Sequence, residues 1–182
     1  GRTEVSRRDR RMRSYTASVT QRLDRLPRTL GLGSATALVI GITIGSGIFR
    51  SPDDTMEQLV AVVRTLRQAH RFGGYLHLKA IPGASQRLIE EAGRWVDRLS
   101  ANIELPTQAD LVQLAPEKQI TVIEGTMSQI QEGVQAAREE KSYRRAAPAF
   151  APAGQSTQMV IGATPSTDAT ILATAAHLYQ SY

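Results

Sequence analysis

Polar side chains gather where three extended runs of this sequence begin or end, and these are its first candidates for chemistry. His77 and Lys79 stand in Tyr75-Leu76-His77-Leu78-Lys79-Ala80-Ile81, which reads as a short strand closed by Pro82-Gly83. Asn102 and Glu104 stand in a second run, 100–105, stopped by Pro106. Gln155, Ser156, Thr157 and Gln158 lead into a third, 158–163. Residues two apart on a strand share a face, which groups His77 with Lys79 and Asn102 with Glu104. Lys79 suits a carboxylate or a phosphate, and Glu104 an ammonium or a ribose hydroxyl. The Gln155 to Gln158 run offers donors and acceptors to a cofactor or a nucleobase. The same residues have a structural reading: Lys79 and Glu104 pair as ions across neighbouring strands, and His77 is a satisfied structural histidine. Both readings stand at this point.

Several chemistries are closed to the chain by residue type. It has no cysteine, so it forms no disulfide, zinc–thiolate site, cysteine nucleophile or cysteine-held iron–sulfur cluster from its own residues. His70 and His177 lack metal-ligand spacing, and no Ser–His–Asp arrangement, phosphate loop or zinc motif is legible. Glu90-Glu91 and Glu139-Glu140 read as helix-surface charges, and Asp53-Asp54 as capping residues.

The elements that must position these residues alternate between strand and helix. Ser51-Pro52-Asp53-Asp54-Thr55 has the composition of a helix start, and the spacing of Met56, Leu59, Val60, Val63 and Leu66 predicts a helix over 55–70. A second helix is predicted over 85–99, with Leu88, Ile89, Ala92, Trp95 and Val96 on one face. Thr107 and Asp110 suit the caps of short helical pieces. A long polar helix is predicted over 121–140 with Ile123, Met127, Ile130 and Val134 on its inner stripe, then an Ala/Pro-rich loop over 144–154 and a last helix over 167–179. This alternation predicts an α/β fold of about three parallel βα units, too few strands to close a barrel and leaving parallel edges exposed.

The N-terminal part is different in kind. Residues 1–28 hold nine Arg against three acids, a charge of +6, whereas the remainder nets −1. The basic balance therefore belongs to a tail without interleaved aromatics, which is a weak nucleic-acid signal. Residues 29–49 follow, 21 positions without a charge. At ~1.5 Å per residue in a helix this reaches across the ~30 Å core of a bilayer, with the arginine-rich side predicted to be cytoplasmic. The run resembles the first transmembrane helix of the amino acid–polyamine–organocation permeases, most clearly in Gly45-Ser46-Gly47-Ile48-Phe49. By that resemblance Gly45, Ser46 and Gly47 break the helix and bind a substrate carboxylate. One helix makes no transport pathway, and the resemblance covers about 22 residues.

From Arg50 onward the resemblance changes. The phrases RSPDDTMEQLV (50–60), FGGYLHLKAIPGAS (72–85), DRLSANIELPT (97–107), LAPEK (114–118) and FAPAGQSTQMVIGATPSTD (150–168) are similar, in order, to the central part of the radical S-adenosylmethionine proteins of DNA modification/repair type. The resemblance implies a fragment of a partial (β/α) barrel, with S-adenosylmethionine and a [4Fe–4S] cluster as cofactors, DNA or a nucleobase as substrate, and a cytoplasmic location. In such barrels the sites lie at the C-terminal ends of the strands. Lys79, Asn102, Glu104, Gln155, Ser156, Thr157 and Gln158 would then hold the amino, carboxylate and ribose groups of S-adenosylmethionine. The cluster of this family is held by a CxxxCxxC loop N-terminal to the RSPD phrase, where this chain carries the permease-like run instead. The chain is thus expected to be catalytically silent alone. Three parts follow: a basic tail (1–28), an apolar membrane-type segment (29–49) that would anchor the chain in a membrane, and an incomplete βα domain (50–182), joined near Phe49–Arg50. Both ends read as cut, since the chain starts at Gly1 and stops at Tyr182 directly after a helix-like run. The oligomeric state is left open.

Overall fold

The computed structural model describes the backbone of residues 38–39, and residues 51–143 and 149–182. Strands and helices alternate in the order β1 (Leu38–Val39), α1 (Pro52–Gln68), β2 (Leu76–Lys79), α2 (Gln86–Gly93), β3 (Arg98–Ser100), α3 (Gln108–Leu114), α4 (Ile120–Tyr143), β4 (Gln155–Ser156) and α5 (Asp168–Ser181). All strand pairs are parallel, and the sheet runs β1-β2-β3-β4 in chain order. Parallel strands laid down in one direction with right-handed crossovers carry their helices on one face. Accordingly α1 packs on α2 and α2 on α4. Leu76, Leu78 and Leu99 are buried in one core with Met56, Val63, Ile89, Ile123, Met127 and Ile130.

Local chemistry explains the helix ends. The Ser51 hydroxyl accepts from the Asp54 N–H at 3.1 Å, with Pro52 in the first turn, so α1 starts three residues before the expected 55. Thr107 caps α3 and Thr167 caps α5 in the same way. The inner stripe of α4 is buried as its spacing predicts.

Three expected elements are corrected. The helix expected over 85–99 ends at Gly93, and Leu99 belongs to β3. The strand expected over 100–105 is Arg98–Ser100, and the one expected over 158–163 is Gln155–Ser156, with only an isolated bridge between Glu104 and Met159 farther along. Polar anchors cause the first shift. Asp97 Oδ2 accepts from the Leu76 N–H at 2.7 Å and from Arg67 Nη2 at 2.7 Å, fixing β3 beside β2 two residues earlier. Arg67 uses its other donors on the carbonyls of Trp95, Phe72 and Gly74.

The aromatic ring of Phe150 lies against α2 at Gly93 and α4 at Gly133, where a β-carbon on either glycine would collide with it.

The apolar run 29–49, expected to be a membrane helix, lies outside the described residues except at Leu38–Val39, which pair as a strand beside β2 instead. Gly45, Ser46 and Gly47 also lie outside them. No described helix is long and apolar enough to cross a membrane.

Candidate functional site

Register sorts the strand residues between the two faces of the sheet. His77 pairs with Arg98, Leu78 with Leu99 and Lys79 with Ser100, while Leu99 pairs with Gln155 and Ser100 with Ser156. Laterally paired residues of a parallel sheet share a face. Lys79, Ser100 and Ser156 therefore lie on the face opposite the helices, and Leu78, Leu99 and Gln155 on the helix-covered face.

Gln155 is thereby separated from the candidate site. Its Nε2 donates to Gln131 Oε1 on α4 at 3.4 Å and to the Tyr182 carbonyl at 3.5 Å, and its buried Oε1 has no partner among the described residues. Thr157 is also engaged in structure, since its hydroxyl accepts from the Ile103 N–H at 2.9 Å. Asn102 and Gln158 come together, Asn102 Nδ2 donating to Gln158 Oε1 at 3.4 Å near the surface.

Lys79 and Glu104 do form the ion pair, with Nζ 2.9 Å from Oε1. A third group joins them, because Lys118 Nζ reaches the same Oε1 at 3.1 Å. The two ammonium groups are half open to solvent, with side chains 49% and 37% exposed, and the carboxylate between them is 21% exposed. Burial pushes the Glu104 carboxyl up, but the hydrogen bonds and charges of Lys79 and Lys118 outweigh it and hold the group below its ordinary range.

Each member of this trio is positioned by backbone. Lys79 ends β2. Glu104 sits beyond β3 with φ at +67°, so the strand alternation expected between Asn102 and Glu104 does not hold. Its backbone is nevertheless fixed, its N–H donating to the Gln158 carbonyl at 3.0 Å and its carbonyl accepting from the Val160 N–H at 2.7 Å. Lys118 lies in the turn between α3 and α4, and the Gln108 amide grips that turn on both sides. Gln108 Nε2 donates to the Lys118 carbonyl at 3.4 Å, and its Oε1 accepts from the Ile120 N–H at 2.8 Å. Sequence reasoning missed Lys118, because a lysine just after a short helix carries no pattern pointing at a strand 39 residues away. The LAPEK phrase was the one signal that marked this turn.

His77 stands on the Lys79 face. Burial, and then the neighbouring Arg98 charge, hold its imidazole below the ordinary range, and its buried Nε2 has no partner among the described residues. His177 is on another element, with Nε2 3.2 Å from Glu124 Oε1. Among the described residues no group of three or more His, Asp or Glu side chains is arranged to hold a metal ion. A [4Fe–4S] cluster needs thiolates at three of its irons, and the chain has no cysteine, so its own residues do not fit that cofactor.

No protein-family model, curated protein or solved structure matches this chain.

Proposed function

We propose that residues 50–182 are a ligand-binding βα segment of a radical S-adenosylmethionine protein of DNA modification/repair type, part of a (β/α) barrel, that performs no radical chemistry alone. S-adenosylmethionine, or a nucleobase substrate, would sit at the C-terminal edge of the sheet. One observation carries the reading: polar groups from the ends of three adjacent parallel strands and the turn before α4 converge there, which is where open and closed βα sheets hold their ligands. Lys79 and Lys118 supply cationic donors, Glu104 an acceptor for an ammonium or hydroxyl, and Asn102 with Gln158 an amide pair suited to a base edge or ribose. Ser156 shares the Lys79 face, while Gln155 and Thr157 support the site from outside it.

Equilibrium dialysis of the full chain against radiolabelled S-adenosylmethionine tests this. Saturable binding is expected, weakened about fivefold in Asn102→Ala, the loss of one neutral hydrogen bond. Absence of saturable binding to the wild-type chain overturns the reading.

A further inference from the structure

Two ammonium groups from different parts of the chain meet on a single oxygen of Glu104. We propose that Lys79 and Lys118 form a binding site for the phosphate group of a nucleotide, and that the Glu104 carboxylate occupies it as an internal substitute that the phosphate displaces. This deepens the proposed function, on whose placement of the site at this sheet edge it rests.

Three features support the exchange. The Nζ atoms of Lys79 and Lys118 lie 2.9 and 3.1 Å from one and the same oxygen, so their donors already converge on one anionic atom. Both side chains are open enough for a solute to reach them, at 49% and 37% exposure. The backbone turn that carries Lys118 is held from both sides by Gln108, which fixes where its side chain starts. With Glu104 in place the trio carries one net positive charge; with the carboxylate swung out, two ammonium groups face the incoming anion. A phosphate presents several oxygens to donors that now share one, which favours it over a carboxylate.

The sign of the mutational effect distinguishes this from simple ligand contact. Calorimetric titration of the full chain with inorganic pyrophosphate should show Glu104→Gln binding about tenfold more tightly than wild type. The gain should vanish when Lys79→Met or Lys118→Met is added. Glu104→Asn is the companion variant, because asparagine tolerates the left-handed region and is too short to reach the lysines, so a poorly folded Glu104→Gln leaves the test intact. No gain in either variant, or a gain that survives loss of both lysines, overturns the proposal. Adenosine monophosphate and a short single-stranded DNA with internal phosphates only, titrated in parallel, identify the source. A gain with either supports the site, and a gain with neither refutes it. S-adenosylmethionine binding on the same samples separates the two readings. Its absence beside a pyrophosphate gain removes the proposed function and leaves the phosphate site. Its presence without that gain does the reverse.

Discussion

Glu104 bears two unfavourable terms at once, a left-handed backbone worth about 1–3 kcal/mol and partial removal of a carboxylate from water. The lysine pair and the isolated bridge to Met159 offset them. Titration behaviour follows from the same surroundings. The Glu104 carboxyl is held below its ordinary 4.5, so the unfolded chain takes up the proton first as pH falls. Its stabilising contribution is complete above 4.5 and is lost as pH drops through the lower folded value. Asp110 adds to this acid step, since hydroxyl hydrogen bonds from Thr107 and Ser166 hold it low as well. His77 is held below 6.5, which makes the folded state resist a proton that the unfolded chain accepts. Its contribution is therefore present above 6.5 and declines on acidification from there. Thermal melts followed by circular dichroism should show a fall in midpoint beginning below about pH 6.5 and a second below about 4.5. His77→Asn should remove the first step and Glu104→Gln should shrink the second. A wild-type midpoint constant from pH ~7 to ~5 would contradict the assignment of His77.

At the scale of elements, the hub around Arg67 decides where two strands lie. One guanidinium gathers the carbonyls of Phe72, Gly74 and Trp95 and the carboxylate of Asp97, tying the end of α1 to the segments before β2 and β3. Arg67→Met would strand these acceptors together, and a loss of about 2–4 kcal/mol is expected, read as a lower urea midpoint with unchanged slope. A change below about 0.5 kcal/mol would show that water replaces the hub. Such a hub also marks the limit of what sequence spacing reveals. The start of α1 is written in Ser51 and Pro52, and the buried stripe of α4 in Ile123, Met127, Ile130 and Val134, because caps and periodicity act locally. The register of β3 is set by Asp97 reaching Leu76, a contact across 21 residues. The end of the second strand region turns on a positive φ at Glu104, where no glycine announces it. Lys79 with Glu104 was legible as a pair, since each lies near the end of one of two successive extended runs. Lys118 was not, for its role depends on how α3 folds back.

At the scale of the whole molecule, sequential parallel order and one-sided helices leave the sheet with one apolar and one polar face. The parallel βα order was foreseeable from strand–helix alternation, whereas the departure of Gln155 from the polar face required the register. The layer of helices is closed by Phe150, whose ring occupies the space that side chains at Gly93 and Gly133 would fill. Phe150→Ala should cost about 2–3 kcal/mol in chemical denaturation. The arrangement also makes substitutions at these sites depend on one another. Alanine at Gly133 alone meets the ring, and alanine at Phe150 alone leaves a void, yet the two together partly fill one another's defect. The double variant should therefore be less destabilised than the sum of the singles in chemical denaturation. Three positions in different parts of the chain are thus coupled through one ring, and what either glycine can become depends on the residue at 150.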